Sequence, residues 1–556
     1  MAFHPNAHSL IRVLFLLLSA TSVCAAEPKQ ASWSNKPHGA DGPWNAVTVS
    51  IGGQSDIALF PGRMFHTFVT TSDYCALNAS TPQCESGTYL KDKVFEGKTR
   101  GAQGIRFRLP GQEYTSGIRV RGADASMFLD TLDLGSSGGR VDNASIALIE
   151  SQMLEYPSGS HYPIFTGCLS VGAPDPKQVF VGSADIPTVN ASLLPWALAK
   201  DDAIPSSSFG LHYGSAVASS AKMFGSLLYG GYDKNRVVGN VLSIDGHLWK
   251  PVLLQDISIR VVKGSSPFVK SFPSSNKNNL LRAGNSSIPT QGLPVILDPC
   301  SPYLTLPKST CDAIADNLPV KYNDSLGLYL WDTTDPRYIQ ITTSASVLSF
   351  TFMGSSNTQT LNISVPFGHL NLSLAPPFMS SENPVPYFPC FTGGIGAYVL
   401  GRAFFQDAFL GANWEQKKLF LAQAPGPNIP AAVEAANIES GDATIKAGRN
   451  NWESSWEGVW RALTLEEASG SGSAPPPPPS GGPSSPPIQT ADDKKGSEGL
   501  AAGAKIGIGV SVALAVLAGI AVGVFIWRRK QKTYGIRLDE GRLKAFPESD
   551  ESCDYS

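Results

Sequence analysis

Charge is scarce in this chain: 16% of its 556 residues are Asp, Glu, Lys or Arg, and the formal net charge is −3. Without a basic surplus, nucleic acid is not an expected partner. Eight histidines are scattered with no His-Glu-x-x-His or Cys-x-x-Cys spacing, so no metal centre is expected. No dinucleotide or phosphate loop occurs, so no cofactor is expected. Long apolar runs are missing except at two places, one near each end.

Those two runs set the expected compartment. Residues 1–26 read as a secretory signal: Arg12 precedes the run Val13 to Leu18, and Cys24-Ala25-Ala26 offers small residues for cleavage. The second run, Ile506 to Trp527, is 22 uncharged residues. At about 1.5 Å per residue it covers a hydrocarbon core of about 30 Å. Arg528-Arg529-Lys530-Gln531-Lys532 follows, which places residues 528–556 in the cytosol. The expectation is a single-pass type I protein of the secretory pathway, in the plasma membrane or an endomembrane, with an extracellular or lumenal N-terminal part. Seven Asn-x-Ser/Thr sequons fit that side of the membrane: Asn78, Asn143, Asn190, Asn285, Asn323, Asn362 and Asn371. The same stretch holds Cys75, Cys84, Cys168, Cys300, Cys311 and Cys390, an even set that allows fifteen pairings.

From about residue 41 to 424, short β-branched and aromatic runs alternate with Gly, Pro, Asn and Ser. Asn45 to Ile51, Gly104 to Leu109 and Val347 to Phe352 are examples. The pattern predicts a mostly β fold with brief helices at Ser309–Asn317, capped by Ser309, and Arg402–Asp407. The length predicts two lobes, 41–235 and 236–424. Residues 425–467 form an extension in which 431–436 and 450–467 are helix candidates. Trp452, Trp456 and Trp460 would share one helix face, either docked on the lobes or free to meet a partner or the membrane. Residues 468–499 are a Pro/Gly/Ser-rich spacer before the anchor.

One carboxylate is also missing where order along the chain predicts it. Asp298-Pro299-Cys300-Ser301-Pro302-Tyr303-Leu304-Thr305 resembles the second catalytic segment of the pepsin-like aspartic proteases. Ile51-Gly52-Gly53-Gln54 is similar to their entry turn, and Phe128 to Gly135 to the strand after their flap. Phe224 to Asp233, Val399 to Phe405 and Trp414 to Ala422 resemble later segments in the same order. The closest likeness is to a membrane-anchored filamentous-fungal subset whose catalytic triplets are commonly broken. The resemblance implies a bilobal fold with one Asp offered by each lobe. Counting seven residues from Gln54 reaches Pro61, and seven more reaches Phe68. Gly62 and Arg63 fill the triplet's Thr and Gly places, and residues 57–71 contain no Asp or Glu. Asp298 is then a remnant, because this chemistry needs two carboxylates sharing one proton.

Further expectations rest on the same resemblance. Tyr114 is the flap candidate, with an ordinary hairpin tyrosine as the alternative. Cys75–Cys84 and Cys311–Cys390 are expected bridges. Cys168 and Cys300 either tie the lobes across the former active site or remain free thiols. The expected function is a surface binding or sensing module without proteolysis, its ligand an extended peptide or a cell-wall component. The alternatives are an anchored acid endopeptidase and a structural cell-wall-facing protein.

Overall fold

The computed structural model describes residues 26–469, except 77–83, 91–104, 107–115, 123–124, 178–190, 218–220, 269–275, 285, 288–291, 355–358, 382 and 395. The described chain is mostly β, and its core is built from one strand pattern used twice. In the first half, β1 (Gln54–Gly62), β2 (Thr67–Thr70), β3 (Arg140–Ile149) and β4 (Gly167–Ser170) lie in a seven-stranded sheet. There β4 runs parallel to β1 and antiparallel to β2, and β2 runs parallel to β3. In the second half, β5 (Leu293–Leu297), β6 (Leu304–Thr305), β7 (Cys390–Phe391) and β8 (Val399–Leu400) repeat the pattern. Here β8 is parallel to β5 and antiparallel to β6, and β6 is parallel to β7.

Burial explains why these strands read as they do. Ile57 to Gly62 of β1 are buried in succession, the mark of a strand covered on both faces of its sheet. Leu293, Val295 and Leu297 of β5 point inward while Pro294 is exposed, the alternation of a strand with one buried face. A six-stranded sheet joins the two halves: Ser208–His212 pairs with Ala408–Asn413, and Lys418–Gln423 pairs with Val238–Asp245.

Helices differ from the sequence expectation in detail. One runs over Lys308–Ala315 with Pro307 at its N-cap. Ser309 is no cap: its hydroxyl donates to the Arg282 carbonyl and accepts from the Gly284 N–H. A second covers Arg402–Phe405. The helix Pro336–Thr343 was not expected, although its signal is plain: Asp335 caps the Arg337 N–H and Pro336 opens the first turn.

The extension after residue 424 is part of the globule. Ala435–Asn437 pairs with Gly231–Asp233, and Ile438 and Ile445 bury against Tyr232, Val237, Phe409 and Phe420. Residues 431–436 are therefore not helical, since main-chain pairing to an open strand edge takes their hydrogen bonds. Nor is 450–467 a helix: Ser454–Trp456 is one 3₁₀ turn, and only Leu465–Ser469 is α-helical. Gly458, at φ +75°, turns the backbone off a helical path. The tryptophans still gather, with Trp456 stacked 4.7 Å from Trp460 and Trp452 edge-on at 5.2 Å. Trp456 is fully buried, its ring 5.1 Å from His369.

Among the described residues no helix is long and apolar enough to cross a membrane. The expected signal segment (to residue 25), the spacer from residue 470, the anchor 506–527 and the tail 528–556 lie outside them.

Candidate functional site

The repeated strand pattern brings the two predicted catalytic segments together. Cys168 pairs with both Phe60 and Phe68, as Leu400 pairs with both Leu297 and Leu304. By that register Pro61 holds the place that Asp298 holds in the second half. Asp56 and Asp73, the acids flanking the acid-free stretch 57–71, are both exposed. Asp130 is buried but accepts from the Tyr89 hydroxyl at 2.7 Å; burial, and after it this bond, pushes the Tyr89 phenol well above its usual range.

Asp298 is 1% exposed and surrounded by donors. Its Oδ1 accepts from the Cys300 N–H (3.1 Å), and its Oδ2 from the Ser301 hydroxyl (2.8 Å) and the Ser116 N–H (3.0 Å). Arg63 Nε stands 3.9 Å from the same Oδ2 and donates to Ser116 Oγ at 2.8 Å. The Ser116 carbonyl lies 2.8 Å from the same Ser301 Oγ and competes with Asp298 for its one proton. The Arg63 guanidinium lies 5.6 Å from the Trp249 ring centroid, a cation–π distance. The residue beside Asp298 is thus a cation on the strand end that follows Pro61.

Behind this cluster the halves are cross-linked. Cys168 and Cys300 form a disulfide with a Cα–Cα distance of 5.9 Å, so the free-thiol alternative is not what the chain adopts. Gly62 makes room for it: a Cβ there would stand 2.9 Å from Cys300 Cβ and 3.3 Å from Cys168 Cβ. Threonine in this place, which the pepsin-like pattern carries, is incompatible with the bridge as built. The other two disulfides are Cys75–Cys84 and Cys311–Cys390.

Arg402 completes the junction from below. It is buried, donates to the Cys300 carbonyl, and reaches Asp41 Oδ2 at 3.7 Å. Its guanidinium lies 3.8 Å from the Phe60 ring and 4.9 Å from Trp44. To one side, Tyr156 of the first half meets Tyr303 of the second, hydroxyl to hydroxyl at 2.9 Å. Burial pushes both phenols well above their ordinary range.

Tyr114 lies outside the described residues, but the three that follow Thr115 do not. Ser116 and Ile118 are buried, and Gly117 (φ +87°) has no room for a side chain beside Thr305 and Val399. Of the sequons, Asn143 and Asn362 are exposed, while Asn323 and Asn371 are half-buried. The Asn371 amide donates to the Tyr338 hydroxyl at 3.0 Å. Asn78, Asn190 and Asn285 lie outside the described residues.

Three participants hold roles that the sequence reading did not assign: Ser116, Ser301 and Arg63. Only Arg63 carried a signal, as a long cation in a place the family pattern gives to glycine.

A β fold made of one strand pattern used twice, with paired loops meeting at Asp298, is the pepsin-like aspartic-protease fold. No family model matches the chain. The aspartic proteinase sxa1 of Schizosaccharomyces pombe is 24% identical over 234 residues, which are 41% of this chain and 39% of that protein. The chain therefore spans about two-fifths of that relative's length. Among solved structures, the aspartic proteinase from Irpex lacteus matches with a TM-score of 0.42 and 16% identity, covering 72% of this chain and 98% of that one.

Proposed function

We propose that this chain is a single-pass membrane glycoprotein whose pepsin-like ectodomain binds a ligand and does not hydrolyse peptides. The observation that carries the reading is Arg63, 3.9 Å from Asp298. Aspartic-protease chemistry uses one carboxylate to activate water and a second, protonated one to hold the substrate carbonyl. A guanidinium does not surrender its proton in proteins, so it cannot alternate between those roles. The Ser116 N–H adds to the case, because it sits on the carboxylate oxygen that a nucleophilic water would need.

The test is a cleavage assay with purified full-length protein, denatured globular substrate and acidic buffer. No pepstatin-sensitive products are expected from wild type. Pepstatin-sensitive cleavage that disappears in Asp298→Asn would overturn the reading. A second reading, an anchored acid endopeptidase, is favoured by the similarity to sxa1, which is a proteinase. It requires an acid beside Asp298 in place of Arg63. The secretory-pathway location is checked by glycosidase shifts. Loss of mass on Asn143→Gln and Asn362→Gln, and none on Asn371→Gln, is the expected result.

A further inference from the structure

Ser116 meets the second half of the chain as a bound peptide would. Its N–H donates to Asp298 Oδ2 and, at 3.1 Å, to Ser301 Oγ. Its carbonyl lies 2.8 Å from Ser301 Oγ, sharing that hydroxyl's one proton with Asp298 Oδ2, and its own hydroxyl accepts from Arg63 Nε. Both main-chain polar groups and the side chain are therefore read together. The groups that read them come from distant positions, 182 and 185 residues away for Asp298 and Ser301. Gly117 then passes between Thr305 and Val399, where a Cβ would approach each to 3.0 Å. None of the receiving groups belongs to the segment they hold, so the receptor is complete without it.

We propose that Asp298, Ser301 and Arg63 form a receptor for an extended peptide bearing serine or threonine, which Ser116 occupies as an internal ligand until a peptide displaces it. The proposal rests on the binding reading above and names its ligand class and its control. Asp298 and Ser301 fix a main-chain N–H and C=O, which any residue but proline supplies. Arg63 reads the side chain: a hydroxyl satisfies Nε, whereas alanine in the same place leaves that donor without the acceptor. The cluster is almost closed to water, so the missing acceptor is not cheaply replaced. Withdrawal of Ser116 is the gate.

The experiment uses full-length protein in detergent at neutral pH and a fluorescein-labelled peptide with the sequence of residues 112–120. A second peptide carries alanine in place of both its threonine and its serine. In the protein, Ser116→Pro deletes the N–H that holds the internal ligand and leaves the receptor residues intact. Fluorescence polarisation should show the serine peptide binding Ser116→Pro at least about tenfold more tightly than wild type. It should also show about tenfold preference for serine over alanine, abolished by adding Arg63→Ala. Equal affinity of wild type and a folded Ser116→Pro protein, or no preference for serine, would overturn the proposal. If Ser116→Pro does not fold, Ser116→Ala is read the same way, with faster amide exchange over residues 116–122 confirming release. Mass spectrometry of the recovered peptide separates the two readings. Cleaved peptide defeats the non-hydrolytic reading and leaves the receptor standing; intact peptide that never bound defeats the receptor alone.

Discussion

At Gly62 the nearest atoms leave space for a hydrogen, and the disulfide between Cys168 and Cys300 fills the rest. Gly62→Thr should therefore destabilise the protein by about 1–3 kcal/mol, the usual range for overpacking a close-packed interior. Denaturant titration checks it, and in a Cys168→Ala/Cys300→Gly background the cost should fall, because the obstructing atoms are gone. Arg402 makes the opposite case, a group whose loss leaves others stranded. Arg402→Ala would leave Asp41 and the Cys300 carbonyl buried without their partner. A loss of about 3–5 kcal/mol is expected, as for other broken buried pairs. At this scale the sequence was partly legible. The count from Gln54 to Pro61 used the spacing that the pepsin-like resemblance implies, and the chain register agrees with it. Ser116 could not be found that way, because its role depends on a contact across 182 residues that no local pattern encodes.

Strand elements were easier to anticipate than the segments after residue 424. The β-branched runs bury both faces or alternate, and either pattern survives in the sequence as a period. The extension carries no such period. Its tryptophans are spaced as on a helix, yet Gly458 and the docking of Trp456 beside His369 decide the path. What holds this element is side-chain burial, with Ile438, Ile445 and Trp456 as anchors. Trp456→Ala should cost about 3–5 kcal/mol, the range for deleting a large buried aromatic. Hydrogen exchange should show residues 452–463 released before the six-stranded sheet opens. Equal protection in the variant and wild type would argue against this docking.

At the scale of the whole molecule, three of the four histidines buried among the described residues shape the response to acid. Burial lowers His66 and His212 to about 3, with Arg236 adding to the effect at His212. Burial and Lys36 lower His38 to about 4. A folded-state value below the unfolded one means that these groups favour folding while neutral. Their contribution is complete above about pH 6.5 and is lost as pH falls toward 3–4. His66 and His212 should each remove about 1.4 kcal/mol per pH unit within that window. Thermal melts should fall steadily from pH 7 to pH 4, and a flat or rising profile would contradict the assignment. The direction is the reverse of what an acid-active enzyme needs, so it bears on the two functional readings as well. Reducing the Cys168–Cys300 link, which closes a loop of 132 residues, should cost about 5 kcal/mol on the chain-entropy estimate.

That same covalent link has a mechanical meaning. If the spacer tethers the domain to a membrane and a ligand pulls from the other side, tension can unravel the chain only outside the stapled stretch. The 132-residue separation withholds a contour length of about 450 Å, at roughly 3.4 Å per extended residue. A stretched molecule would stop short while oxidised and lengthen by that step once a reductant reached the sulfurs.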